Sequence, residues 1–523
     1  MAFQLDSLSL VIVGTDVNVA NTAVRSFQGS ERINRPYAFR IEFANSSSTK
    51  PSDWIGKSCH FAIKVGGDVN GATRQFSSVV LAAGQLTFGH RVNTFFVEFG
   101  PQLALRDLSR RSQVTAAGNA TLADILQKKL GADNSGQPYE RDKAAVASKF
   151  LLASSYALDG DSESGSMLVQ YQETDLNYIN RICEAAGIFY YFSYEGDVGP
   201  AAGHRHDVFP PPAKTEEVHF ADRVASALPV LHLQYKPELP PLPDATMVMS
   251  FASRQTVVPE KFVARGVFDY GSSFDAFAPA QIASDGFGTV VEFVSSFDFQ
   301  SDLNALAGVR ANEIGKRSTI LTGQSTAIGL SAGSRFRLDG DPSNGSTVYF
   351  VEAVTHSYSA DQSVGTAGFP ARYVNTFQAV PASDSYRPPR LLKKPVMPGV
   401  YYGEVQTTLL SARRAELTST GRYHIQLRFD ESPFPSDNGS SGDHSWRCRM
   451  ATPYGGVSGV GQHFPLLNGT EVIVAFANGD PDRPIIIATI ATKDNASPVT
   501  SANFTRNRIV SPSGVMIELD DGA

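Results

Sequence analysis

Cysteine is scarce in this chain. Its 523 residues hold three, Cys59, Cys183 and Cys448, widely spaced and odd in number. Such an arrangement offers no disulfide framework, and reduced thiols are the simpler reading. Positive charge is also short: 45 Lys and Arg face 52 Asp and Glu, for a formal net charge of -7. A nucleic-acid binder needs a basic face to displace counterions, so no nucleic-acid partner is expected. No run of about 18 apolar residues occurs, and no membrane span is expected. Met1-Ala2-Phe3-Gln4-Leu5-Asp6 lacks the basic-then-apolar order of a signal peptide, so export would use a route other than general secretion. No short-period repeat or heptad run is present.

What the chain does have is the alternation of half-buried strands. Hydrophobic residues make up 42% and charged residues 19%, enough apolar content to build packed cores. Tyr37, Phe39, Ile41 and Phe43 alternate with Ala38, Arg40 and Glu42, which puts one set on one face of a strand. Residues 95–99, 188–192 and 348–354 also read as strands. So does the run Tyr423, Ile425, Leu427 and Phe429, with His424, Gln426, Arg428 and Asp430 between. Helices are few. Thr174 can cap a helix whose stripe is Leu176, Ile179, Ile182, Cys183 and Ala186, with Gly187 as its stop. Thr121 precedes a second, with Leu122, Ile125, Leu126 and Leu130, and a third is expected over about 302–314.

Proline and glycine mark the joints. Pro210-Pro211-Pro212 and Pro237, Pro240, Pro241 and Pro243 sit in loop-rich stretches. Pro381, Pro388, Pro389, Pro395 and Pro398 read as a stiff linker before a compact all-β module at 399–492. In the strand over 469–476, Val472, Val474 and Phe476 share one face and Ile473 and Ala475 the other. Both faces are apolar, so both should be covered, the second by a neighbouring chain.

The C-terminal module carries the most specific text. Gly421-Arg422 opens the strand that runs to Phe429-Asp430, and Trp446 follows a Gly/Ser/Asp-rich stretch. Phe464-Pro465 leads through Gly469, Glu471 and Val472 to Gly479-Asp480-Pro481-Asp482-Arg483-Pro484. This order resembles the OB-fold module of the VgrG family, the spike proteins of type VI secretion. Upstream, Gly29, Glu31 and Pro36-Tyr37-Ala38-Phe39 are similar to that family's opening barrel. Residues 170–190 and Tyr386-Arg387-Pro388 also match. In the Gly-Asp-Pro-Asp-Arg-Pro run, Gly479 suits a positive φ and Pro481 stiffens the turn. Asp480 and Arg483 are close enough in sequence to pair, with shape rather than charge the expected role. Leu466 and Leu467 stand where the family favours a basic residue.

The resemblance implies a mainly β fold: two related tube-like β-barrels with α/β insertions, an OB-fold barrel, and the start of a β-helix stalk. The expected division is 1–160 (first barrel), 161–235 (helix–strand insertion), 236–380 (second barrel), 381–398 (linker), 399–492 (OB fold) and 493–523 (neck and start of the needle). It further implies a structural, non-enzymatic spike subunit that caps an inner tube as a homotrimer. Implied partners are an Hcp-like tube hexamer, a PAAR-like tip protein on a complete needle, baseplate proteins and effectors. Such a protein would assemble in the cytoplasm and be injected on contraction. The hub of a phage tail or of an extracellular injection particle shares the architecture. A spike with cell-wall hydrolase activity and a carbohydrate- or envelope-binding adhesin are the readings from other classes.

No cofactor, metal or catalytic residue is expected. Gly329-Leu330-Ser331-Ala332-Gly333 fits the nucleophile-elbow spacing of hydrolases, but a strand rather than a helix should follow it. His204, His206 and Asp207 lack a third ligand at metal-site spacing. Asp443-His444-Ser445 are adjacent residues that rarely converge on one atom. Gly455, Gly456, Gly459 and Gly461 form no phosphate-loop pattern. Glu404, Glu416 and Glu431 read as solvated carboxylates rather than a glycosidase pair.

Overall fold

The computed structural model of the chain describes residues 5–20, 23–45, 50–65, 73–87, 93–116, 121–131, 146, 148–152, 167–194, 216–224, 230–236, 247–268, 276–297, 300–340, 346–360, 373–407, 414–431 and 446–522. The expected strands are present as Arg35–Asn45, Asn93–Gly100, Phe189–Tyr194, Val348–Ser359 and Tyr423–Leu427. The last stops two residues early, because Asp430 N–H turns back onto the Leu427 carbonyl at 3.0 Å. The helices Leu122–Leu130, Asp175–Ala186 and Gln300–Gly315 stand where the patterns place them. Thr121 and Thr174 cap the first two, and Gly131 and Gly187 end them in the left-handed region.

Six strands close into a ring: Val230–Tyr235, Met247–Gln255, Thr319–Ser325, Tyr373–Pro381, Val348–Ser359 and Arg335–Asp339. The ring closes because Arg335–Asp339 pairs with both Val230–Tyr235 and Val348–Ser359. A second set continues from the same sheet in the order Val24–Arg32, Arg35–Asn45, Asn93–Gly100, Thr73–Thr87, Ser58–Val65, Leu5–Ile12 and Asn18–Ala20. It wraps an aromatic core of Phe27, Phe39, Phe43, Trp54, Phe61, Phe76, Phe95 and Phe99. Gly29 is required here: a Cβ would lie 2.1 Å from the ring of Phe39, its cross-strand partner.

The two sets share one element. The start of Val348–Ser359 pairs with Arg335–Asp339, and its remainder pairs with Val24–Arg32, from Ala353 opposite Arg32 to Ser359 opposite Ser26. A twelve-residue strand with this double duty has no free edge along most of its length, so it is shielded from edge-to-edge aggregation.

Side chains reinforce this seam. Glu31 accepts two bonds from Arg74 Nη2, at 2.6 and 2.7 Å, and meets His356 Nε2 at 2.7 Å. Arg74 also donates to the carbonyls of Ile328 and Leu330. His356 Nδ1 lies 2.8 Å from the Tyr373 hydroxyl, which accepts from Asn375 Nδ2 at 3.1 Å. The proton pattern follows by elimination. An ionised Glu31 is acceptor only, so Nε2 carries the hydrogen and Nδ1 accepts from Tyr373. Burial alone would push Glu31 up, but Arg74 and the His356 hydrogen bond outweigh it and hold the carboxyl below the usual range. Burial lowers His356 in spite of Glu31, which favours the neutral ring.

Replacing Glu31 by Gln removes the carboxylate that the buried Arg74 guanidinium grips with two bonds and should cost about 3–5 kcal/mol in chemical denaturation. Both groups also set a pH dependence of one sign. Each has a folded pKa below its unfolded value, so the unfolded chain binds more protons in the window between them. Stability should therefore fall as pH drops through about 6.5 and fall again below about 4.3. A His356→Gln variant should lose the first of these two phases in denaturation curves recorded against pH.

Candidate functional site

Five strands form a closed barrel: Val400–Gln406, Tyr423–Leu427, Trp446–Met450, Pro484–Thr489 and Glu471–Phe476. Val472, Val474, Phe476, Tyr423, Ile425, Leu427 and Cys448 fill its interior. Ile473 and Ala475 point the other way and are half-buried, as their alternation requires. Gly421 and Gly469 hold positive-φ turns with open space around them. Glu471 stands opposite Glu404, and Arg428 pairs with Glu404 at 2.7 Å. Pro465 is exposed, while Leu466 after it enters the core and donates its N–H to the Tyr423 hydroxyl. Leu466 is thus a packing residue, which suits an apolar side chain where a basic one was expected. The strand containing Trp446 is described, but its side chain lies outside the described residues.

The motif residues do more than shape a turn. The pair of strands Arg110–Ala116 and Met167–Thr174, some 300 residues away in sequence, packs on this barrel through Val114, Met167 and Val169. Tyr171 meets Phe429 and Tyr401 edge-on, at 5.3 and 5.9 Å. Asp430 Oδ1 accepts from Val114 N–H at 3.1 Å, and Glu431 exchanges two bonds with the Ser112 backbone. Asp482 Oδ1 accepts from Val169 N–H at 2.7 Å, and its other oxygen pairs with Lys394 at 2.6 Å. Asp480 also meets Lys394, and Arg483 N–H bonds the Asp480 carbonyl at 3.0 Å. Pro481 and Pro484 are buried beside them. Gly479 is pinned: its carbonyl accepts from Met397 N–H at 2.8 Å, and a Cβ would lie 2.7 Å from Val396.

The proline-rich stretch is a strap, anchored along its length. Tyr386 is fully buried and donates to Glu352 at 2.9 Å. Arg390 grips Glu292 with two bonds of 2.7 Å, and this hydrogen bonding holds the Glu292 carboxyl below its usual range. The N–H groups of Leu391 and Leu392 bond Glu184 at 2.7 and 2.9 Å. Glu184 lies on the helix Asp175–Ala186 and also pairs with Arg35 at 2.9 Å. The sequence pattern marked one apolar stripe on that helix, yet its polar side is buried too. Arg181 binds Glu173 and the Val169 carbonyl, and Asn180 accepts from Tyr190. No periodicity signals these contacts. Its prolines marked the strap as stiff and Tyr386-Arg387-Pro388 matched the family, but no spacing marked its anchors.

Apolar surface is left bare nearby. The segment 451–465 is exposed throughout its described side chains, with Val457 at 86% and Tyr454, Val460 and Phe464 above half. Farther on, Arg506–Val510 and Met516–Asp520 form a hairpin. One face carries Arg506 and Arg508 paired with Glu518 and Asp520. The other carries Ile509, Ile517 and Leu519, all exposed.

Two of the catalytic readings can be set against the described residues. Ser331 lies in a turn and the next element is the strand Arg335–Asp339, not a helix. Gly455 and Gly461 bridge each other in the exposed segment. Glu404 and Glu431 are tied to Arg428 and Ser112. His204, His206, Asp207, Asp443, His444 and Ser445 lie outside the described residues. Ser193 and Glu217 both contact His219, but through the same Nε2, at 2.7 and 2.8 Å. A relay needs the two ring nitrogens separately engaged. Among the described residues there is no group of three or more metal-ligating side chains and no helix long and apolar enough to cross a membrane.

Comparison with known proteins places these features. Residues 30–362 match the family model for the phage tail baseplate hub (GPD). Residues 426–490 match the type VI secretion system/phage-baseplate injector OB domain. The chain is 24% identical over 520 residues to the type VI secretion system spike protein VgrG1b of Pseudomonas aeruginosa, covering 96% of this chain and 63% of that protein. Against VgrG3 of Vibrio cholerae it is 22% identical over 494 residues, covering 91% and 44%. The chain therefore spans less than two thirds of the length of either relative. Among solved structures, an E. coli type VI secretion component described as similar to the T4 tail proteins gp27 and gp5 superposes with a TM-score of 0.61 at 22% identity, covering 92% of this chain and 99% of that one. The Francisella PdpA–VgrG complex gives 0.59 at 10% identity, covering 98% and 83%.

Replacing Asp482 by Ala leaves the buried Val169 N–H without an acceptor and Lys394 without one of its carboxylates. The cost should be about 1–3 kcal/mol. Limited proteolysis should then cleave within 390–398 faster than in the parent chain.

Proposed function

The chain belongs to the phage tail baseplate hub family, and we propose that it is the structural spike subunit of a type VI secretion machine. In this reading three copies form a cap on an inner tube of Hcp-like hexamers. Each copy supplies two tube-like barrels, so a trimer presents six and fits a six-fold tube. Baseplate proteins hold the cap before contraction. A PAAR-like tip protein closes the needle, effectors ride on the assembly, and the whole is injected to puncture a target envelope. Assembly takes place in the cytoplasm. The work comes from contraction, and the role of this chain is to transmit it without yielding. The same surfaces would serve a hub in a phage tail or extracellular particle, as the name of the matched family allows.

One observation carries the reading. The hairpin over 506–520 is two-stranded, and its Ile509, Ile517 and Leu519 face has nothing to cover it within the described chain. An isolated hairpin of this kind is marginal in water. Three copies around an axis would bury all three such faces against one another, at about 25 cal/mol per Å² removed from water. The bare segment 451–465 follows the strand Trp446–Met450, which runs parallel to the strand Pro484–Thr489 that leads toward the hairpin, and it would lie over a neighbouring copy. The division into 1–160, 161–235, 236–380, 381–398, 399–492 and 493–523 is retained as part of this proposal, with 493–523 as neck and start of a β-helix needle. Gly421, Arg422, Phe429, Asp430, Trp446, Pro465, Gly469, Glu471, Val472 and the 479–484 turn are assigned structural roles, and no catalytic ones.

Light scattering on the purified chain should give three times 56.3 kDa. The double replacement Ile517→Asp and Leu519→Asp should reduce this to a single-chain mass with circular dichroism nearly unchanged. A wild-type chain that is already monomeric, or a trimer untouched by the double variant, would remove this hairpin from the assembly seam.

A further inference from the structure

The outside of the OB barrel carries an apolar sheet face on Val400–Gln406, Glu471–Phe476 and Pro484–Thr489. Residues directly opposite in paired strands share a face. Val400 stands opposite Ala475, and Ala475 opposite Ile485, which makes one row. Tyr402 stands opposite Ile473, and Ile473 opposite Ala488, which makes the next. Val472, Val474 and Ile486 alternate with these residues and fill the core, so both rows point outward. Neither row holds a charged residue. Val400 and Tyr402 are each more than half exposed, and Ile487 is exposed on the same strand as Ile485 and Ala488. Glu404 opposite Glu471 ends the apolar area.

A second bare surface lies on the same chain. Residues 451–465 leave the strand Trp446–Met450 and are exposed at every described side chain. The segment has a shape of its own. Gly455 and Gly461 bridge each other, Gln462 N–H bonds the Tyr454 carbonyl at 3.0 Å, and Gly459 turns the tip with a positive φ. The result is a short knob with Val457 in its terminal turn, and it also carries Tyr454, Val460 and Phe464. From Met450 to Thr470 there is no Asp, Glu, Lys or Arg, in a chain whose charged share is 19%. Contiguous apolar surface of this kind marks a contact with another molecule.

We infer that the knob of one copy seats on the two apolar rows of the next. Within one copy the knob does not cover this face, since both are bare among the described residues. The inference rests on the trimeric spike reading above and goes beyond it, by giving the OB barrels a head-to-tail contact separate from the hairpin. Two different patches that fit each other make a heterologous interface, which forms a ring where the rotation closes. Each copy then makes the contact twice, once with its knob and once with its face. An uncharged knob meets uncharged rows, so seating it strands no ion. A standard interface takes about 800 Å² from each partner, and the exposed stretch 451–465 offers surface on that scale. Its own backbone bonds hold the knob in shape, which leaves little ordering cost for docking.

The test uses the full chain carrying Val457→Cys and Tyr402→Cys together, treated with a short bifunctional maleimide. Cys59, Cys183 and Cys448 are buried, and the parent chain serves as the control for them. Covalent species of two and three chains are expected. The two single variants co-expressed should stop at two chains, because each copy then carries one half of the contact, and either single variant alone should give no linked species. Tyr454→Asp with Val457→Asp should raise the concentration at which the trimer dissociates by about tenfold or more. Light scattering on the same samples separates two failures. A trimer whose double-cysteine variant gives no linked chains overturns the knob contact and leaves the spike reading standing. A single-chain mass for the parent overturns the contact together with the trimer it rests on. Both thiols consumed without a gain in mass would place the knob on its own barrel and overturn the contact as well.

Discussion

A single carboxylate holds the upstream half of the molecule in register. Glu31 sits where the strand shared by the ring and the second set meets the first strand of that set, and it answers to Arg74 on one side and His356 on the other. The shared strand by itself supplies backbone bonds, which fix distance but tolerate a slip by two residues. The buried triad does not tolerate one, because a shifted register would leave Arg74 or Glu31 charged and unpaired. The aromatic packing of Phe27 on Tyr358 and Tyr373 then builds outward from a fixed pairing.

Below this seam the design is one of fastening rather than of chemistry. The proline-rich strap is short of N–H donors by composition, and several of those it retains are used: Arg390 to Glu313, Leu391 and Leu392 to Glu184, Met397 to Gly479. The OB barrel is fastened twice over, by Asp430 and Glu431 on one strand of the Arg110–Ala116 and Met167–Thr174 pair and by Asp482 on the other. Joints of this kind, apolar in the middle and ionic at the margin, resist shear better than an open linker does. That suits a part whose proposed work is to carry load.

The apolar surfaces that remain bare are concentrated toward the C-terminal end, in 451–465 and the hairpin, with a second patch at Phe277, Val291 and Phe293 on the outer side of the sheet Lys261–Phe268, Ala276–Gln281 and Thr289–Phe297. The helix Gln300–Gly315 covers the other side of that sheet through Leu303, Ala307 and Ala311. Scattered exposed apolar residues need no explanation, whereas contiguous ones mark contacts with other molecules. For the hairpin, further copies of the chain are the proposed cover, since among the described residues nothing covers its Ile509, Ile517 and Leu519 side.

Much of this was legible in the residues. Alternation over Tyr37–Phe43 and Tyr423–Phe429 marked strands and their buried faces, the second ending two residues short, Thr121 and Thr174 marked helix starts, and the Gly479–Pro484 run marked an OB-fold module. Local rules suffice for such features because they depend on neighbours one to four positions away. What covers each face was decided only by the tertiary structure. A period of two shows that Val472 is inward, but not that Val169 packs on the same core, or that Asp482 would leave its own turn to hold Val169. Glu31 and His356 stand 325 residues apart, and no spacing rule reaches so far. The same holds for Arg447 and Arg449, unremarkable in sequence, which the barrel sets beside the motif residues Arg422 and Arg483. Pairing across such distances depends on which surfaces exclude water together, and that is a property of the assembled fold.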